Sequence, residues 1–196
     1  MFSDGHVEVE GRRLRYREAG QGSALVHLVS AGGLALTPAH GLLARAFRVV
    51  ALEIPDAAPG ASSIVARALT QLGLETFNLM ATTTTAPAAL RLALQAPGAG
   101  ARPGAGVSRR HGRAVRGPGG LATPTLVLLG TLDDGASAAV GRAYQAWIPG
   151  CHLAFVYAAG PAIAAERAEA FAEIVADFFE RRDAFVISRA TTLINP

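Results

Sequence analysis

Four short apolar runs limit what this chain can fold into. They are ALVHLV (24–29), FRVVALE (47–53), TFNLMA (76–81) and TPTLVLLG (123–130). None alternates strictly between apolar and polar, so each reads as a strand covered on both faces, the pattern of a parallel sheet. Helical stretches separate them at 38–46, 63–74 and 86–96, and Gly73 marks the end of the second. A helix over 136–147 follows, then a strand CHLAFVY (151–157). A long amphipathic helix is predicted over 162–185, with Ile163, Phe171, Ile174, Val175, Phe178 and Phe179 on its buried face. Ahead of all these, HVEVEGRRLRYREAG reads as an antiparallel hairpin, strand 6–10 and strand 12–18 about Gly11. The tail VISRATTLINP has no clear assignment. Alternating strands and helices predict an α/β fold with a mostly parallel sheet flanked by helices. Ligands bind such sheets at the carboxyl ends of the strands.

The 196 residues suit a single domain spanning 1–196, and 51% hydrophobic content supplies its core. One cysteine, Cys151, excludes an internal disulfide. The opening residues are too polar for a secretory signal, and no apolar run reaches membrane-spanning length. The expectation is a cytoplasmic protein with no membrane partner. All 18 basic residues are arginine. Five of them, Arg102, Arg109, Arg110, Arg113 and Arg116, fall in 98–120 with no acid, and the rest of the chain holds 13 basic against 15 acidic residues. The net charge of +3 therefore belongs to one segment and not to the fold.

The order of elements resembles the α/β-hydrolase superfamily. VEVEGRRLRYREAGQGSALVHL looks like its N-terminal hairpin and third strand, and GLETFNLMATTTTAPAALRLALQAP like its nucleophile-elbow strand and helix. TPTLVLLGTLDD looks like the strand that carries the acid, and IPGCHLAFVYAAGPAI with AERAEAFAEIVADFFERR like the final strand, histidine loop and last helix. The resemblance covers roughly 6–96 and 122–185. It implies an α/β-hydrolase-like domain without a cap, descended from a hydrolase acting on an ester, amide or activated C–C bond of a small molecule.

It also implies where a catalytic site would lie. Against the motif G-x-S-x-G, the chain reads Ala81-Thr82-Thr83-Thr84-Thr85, so Thr83 takes the nucleophile position and both glycines are replaced. Asp133 matches the acid, with Asp134 beside it. The aligned base is Pro161, which cannot take a proton. The oxyanion donors implied are the backbone N–H groups of Thr84 and of Ala31 or Gly32, although Val29-Ser30 replaces the usual His-Gly pair. Of the histidines, His27 reads as a core or sheet-face residue and His152 as lying at the wrong end of the sheet. His6 and His40 are expected outside the site, and His111 has no assigned place. No metal or cofactor is implied.

Residues 97–122 interrupt the pattern with glycine, proline and arginine where a strand and a cap are expected. They read as a basic linker, as a loop that covers the site or meets a partner, or as a segment translated out of frame. A shifted frame over GC-rich codons yields a strand-like VRALVLES. With no aromatic residue in the segment, nucleic acid is a poorly supported partner. Three functions follow from these residues. The first is a catalytically impaired hydrolase relative that binds a small molecule, and the second a weak hydrolase using Thr83. The third is a binding module acting through 98–120. A sheet lacking one central strand leaves edges open to homo- or hetero-oligomer formation.

Overall fold

The computed structural model describes residues 1–55, 60–95, 101–103 (backbone only), 123–134, 138–181 and 185. The chain opens with strands β1 (Ser3–Val9) and β2 (Arg12–Ala19). They pair antiparallel from Ser3↔Glu18 to Val9↔Arg12. The two linking residues, Glu10 and Gly11, both have positive φ (52° and 73°), as a two-residue turn matched to strand twist requires.

Strands β3 (Ala24–Ser30), β4 (Arg48–Ile54), β5 (Phe77–Ala81) and β6 (Ala101–Pro103) complete a mixed sheet in the order β1-β2-β4-β3-β5-β6. β3 lies parallel between β4 and β5. β7 (Thr125–Gly130) and β8 (Cys151–Val156) form a separate parallel pair. Between the strands come helices α1 (Pro38–Leu43), α2 (Ala61–Gln71), α3 (Ala86–Gln95) and α4 (Ala138–Trp147). α5 (Ile163–Glu166) and α6 (Ala168–Arg181) follow β8.

The pleat sends alternate residues of β3 to opposite faces. Val26 and Leu28 join Val50, Leu52 and α2 in one core. Leu25 joins Val49, Met80 and the buried face of α6 in the other. That face is Phe171, Val175, Phe178 and Phe179, as the periodicity predicts, with Ile174 packed at its margin. β7 is covered on both sides as well: Leu126 and Leu128 face the α6 core, while Val127 and Leu129 pack near Leu90 of α3. Among the described residues no helix is long and apolar enough to cross a membrane.

Two expectations change. The helix predicted over 162–185 breaks at Arg167, whose backbone (φ −133°, ψ 57°) is not helical. Its guanidinium is turned to the Tyr157 carbonyl at 3.2 Å. The break frees α5 to pack separately from α6. The irregular segment also holds a strand after all: residues 101–103 pair in parallel with β5, from Phe77↔Ala101 to Leu79↔Pro103. The ladder ends at a proline, which has no N–H to continue it. Residues 104–122, with His111 and four of the five arginines of the segment, lie outside the described residues, as do 96–100 and the C-terminal tail.

Candidate functional site

The four threonines link β5 to α3. The Thr82 carbonyl accepts from the N–H groups of Thr85 (3.0 Å) and Ala86 (2.7 Å), so helical turning begins inside the threonine run. Among the described residues only Glu10 and Ala158 combine a side chain with positive φ. Thr83 is therefore not held in the strained conformation that exposes a nucleophile on a sharp turn. The physical reason is the residue type: a β-branched side chain is costly at positive φ.

Thr85, in place of the second glycine, ties the turn to the central strand. Its hydroxyl accepts from the Thr82 N–H (3.1 Å) and donates to the Leu28 carbonyl of β3 (2.8 Å), next to the last β3–β5 pair, Leu28↔Ala81. Thr83 makes no such bond. Its Oγ1 is buried without a hydrogen-bond partner among the described residues.

The loop after β3 is also occupied. Gly32 stands at φ 77°, and its N–H donates to the Glu53 carboxylate. Glu53 is itself gripped by Arg15 through Nε at 2.8 Å and Nη2 at 3.4 Å. The Arg15 hydrogen bond, aided by the one from Gly32, holds the Glu53 carboxyl below its ordinary value of 4.5. The Gly33 N–H donates to the Ser30 carbonyl at 2.8 Å. The Gly32 N–H is thus already engaged by a carboxylate. Ala31 and Thr84 are both exposed, and Thr84 lines a small cavity of about 180 Å³ shared with Ser30.

Asp133 follows β7 in a turn where its N–H donates to the Gly130 carbonyl at 3.3 Å. The loops after β7 and β8 are stapled together. Leu132 N–H donates to the Ala159 carbonyl (2.8 Å), and Ala158 N–H to the Thr131 hydroxyl (3.0 Å). Gly130 permits this approach, because a Cβ there would lie 2.2 Å from the Ala159 oxygen.

A larger cavity of about 350 Å³ lies on the α1 and α6 side of the sheet. Thr82, Pro161 and Ala162 are in its wall, and α5 contributes Ile163 to Ala165. Thr83 and Asp133 do not line it. The cavity thus gathers the turn and the position of the expected base, but not the expected nucleophile and acid.

Two histidines line the same cavity, and here the sequence reading is corrected. His27 does project from the sheet face, but His40, expected outside the site, is buried against it. His27 Nδ1 and His40 Nε2 are 2.8 Å apart. Thr37 caps α1 and sets the arrangement: its N–H donates to His40 Nδ1 at 3.0 Å. A nitrogen that accepts carries no proton. Neutral His40 therefore holds its proton on Nε2 and donates it to His27 Nδ1. His27 in turn holds its proton on Nε2, and that Nε2 is buried without a partner among the described residues. Such an orphan donor costs about 1–3 kcal/mol. Burial, and then the neighbouring His40, lower the His27 pKa to about 3. Burial lowers His40 too. Both rings stay neutral near pH 7, and neither reaches Thr83 Oγ1. Sequence signals for the pair exist in hindsight. His27 interrupts an apolar run in phase with Leu25 and Val29, and Thr37-Pro38-Ala39-His40 has the spacing of a capping box.

The described chain superposes on solved hydrolases over nearly its whole length. A CIB-like hydrolase from Thermoplasma acidophilum matches with a TM-score of 0.72 and 18% identity, covering 91% of this chain and 98% of that one. A carboxylesterase from Bacillus subtilis gives 0.71 and 15% over 91% and 92%. A hydrolase from Pseudomonas aeruginosa gives 0.70 and 16% over 90% and 98%. The chain has the α/β-hydrolase fold. No protein-family model and no curated protein sequence matches it. Within the α/β-hydrolase frame, the threonine turn follows β5 and Pro161 stands in the loop after β8.

Two outcomes test this geometry. Thr85→Val strips both the Thr82 N–H and the Leu28 carbonyl of a partner, and should lower stability by about 1–3 kcal/mol in urea unfolding. The histidine pair should make stability fall on acidification. A His pKa depressed by folding means that the unfolded chain binds the extra proton below pH 6.5. The loss then runs from pH 6.5 down to about 3. From pH 7 to 5 His27 alone accounts for roughly 2 kcal/mol, and His27→Gln should flatten that slope. Glu53 does not enter this window, because its contribution is lost only below its ordinary 4.5.

Proposed function

We propose that this protein keeps the α/β-hydrolase fold as a binding domain for a small molecule and does not turn it over. One observation carries the reading: Thr83 Oγ1, the side chain in the nucleophile position, has no hydrogen-bond partner among the described residues to take its proton. A threonine hydroxyl attacks only when a base accepts that proton. Pro161 supplies none, and His27, with a pKa of about 3, is too weak a base even for a substrate-induced approach. The unstrained turn and the occupied Gly32 N–H weaken the remaining supports for an acyl intermediate. The names of the structural neighbours, a carboxylesterase and a meta-cleavage product hydrolase among them, suggest an ancestral substrate with an ester or an activated C–C bond. The proposed oxyanion donors reduce to Ala31 and Thr84. The reading through the arginine-rich segment falls outside the described residues and gains no support from them.

Hydrolysis of p-nitrophenyl acetate by the wild type and by Thr83→Ala tests the proposal. Equal rates, both near that of buffer, are expected. A burst in the wild type that Thr83→Ala lacks would show that Thr83 is a working nucleophile and overturn the proposal.

A further inference from the structure

The small cavity of about 180 Å³ lies between α2 and α3, and among the described residues it shares only Ser30 with the larger one. Ser62 forms part of its wall. That side chain is 7% exposed and makes no hydrogen bond to any described residue. Unlike the sealed Thr83 hydroxyl, the Ser62 hydroxyl keeps surface open to the cavity. Buried polar groups are almost always hydrogen-bonded, so an unpartnered hydroxyl bordering a cavity points to a partner inside it.

A water would satisfy the hydroxyl alone; the charge around it selects an anion. Ser62 is the second residue of α2, which starts behind Gly60 (φ 88°) with no side-chain cap and no acid in its first turn. The Gly60 carbonyl accepts from the N–H groups of Ser63 (3.0 Å) and Ile64 (3.1 Å). Those of Ala61 and Ser62 find no acceptor among the described residues. An uncapped helix start carries roughly half a positive charge and presents its free N–H groups to an anion. Thr84, Pro87 and Ala88 bring the start of α3 to the same space, again with no acid in the first turn. Arg91, further along α3, also borders the cavity, and its guanidinium has no acidic partner among the described residues. At about 180 Å³ the space is smaller than ordinary ligand pockets of roughly 300–1,000 Å³, and suits one oxyanion group.

We propose that this cavity binds a phosphate group, held by the Ser62 hydroxyl, the N–H groups of Ala61 and Ser62, and the Arg91 guanidinium. Donors of three kinds around one small space match the several acceptor oxygens of a tetrahedral oxyanion. Inorganic phosphate and the phosphate of a small monoester share that chemistry. The site goes beyond the binding function proposed above and does not depend on whether Thr83 reacts.

Inorganic phosphate and methyl phosphate, each titrated into the full chain and followed by amide NMR, test the site. Saturable shifts of the Ala61 and Ser62 amide signals are expected with at least one of them, and not with sodium chloride at matched ionic strength. Tighter binding of methyl phosphate would mark a monoester as the source of the group, and tighter binding of inorganic phosphate the free ion. Ser62→Ala and the exposed Arg91→Gln should each weaken binding about tenfold, the effect of one hydrogen bond to a charged group. No shift with either probe, shifts that spare the start of α2, or an affinity that either substitution leaves unchanged would overturn the inference.

Discussion

Strand β3 is hydrogen-bonded along both edges, to β4 and to β5, and packed on both faces. This double constraint positions the rest of the site. One face carries Val26 and Leu28 into the α2 core, and the other carries Leu25 and His27 toward α1 and α6. The Leu28 carbonyl receives the Thr85 hydroxyl and so sets how the turn after β5 sits against the sheet. From the end of the same strand runs the loop whose Gly32 N–H is held by Glu53 of the neighbouring β4. Because the strand cannot shift without breaking two ladders, these attachments are well defined.

The proposed loss of catalysis has a structural logic. In a strained turn the glycines on either side bear the geometry and the central hydroxyl stands free. Here Thr85 replaces the permissive glycine with a hydroxyl that bonds to the strand and to Thr82, and the turn relaxes into the start of α3. The loop after β8, which holds Pro161, is stapled to the one after β7 through Ala159 and Leu132. Stability and catalysis make opposite demands on such a turn. This chain satisfies the first. What persists is the cavity, because its walls are the sheet face, α1, α5 and α6, all of which the fold needs in any case.

Much of the fold was legible in the residues. The buried strands announced themselves as continuous apolar runs, and the α6 face as Phe171, Val175, Phe178 and Phe179 at helical spacing. Less legible was whatever depends on partners distant in the chain. The break at Arg167 lies among good helix formers, and only the fold brings the Tyr157 carbonyl to its guanidinium. Strand 101–103 lies in a sequence with no strand propensity; the open edge of β5 recruits it. Gly32 read as an available donor because Glu53, 21 residues away, carries no mark of its role. His40 was misplaced for the same reason: an apolar helix beside a strand gives no hint that a ring nitrogen on each will meet at 2.8 Å.

The central claim is that a hydrolase fold here lacks a functioning nucleophile. The most direct measurement is the intact mass of the protein after prolonged incubation with a fluorophosphonate, which reacts with activated hydroxyl nucleophiles. An unmodified mass is predicted, since the Thr83 hydroxyl has no hydrogen-bond partner among the described residues. A single stoichiometric adduct mapped to Thr83 would contradict it.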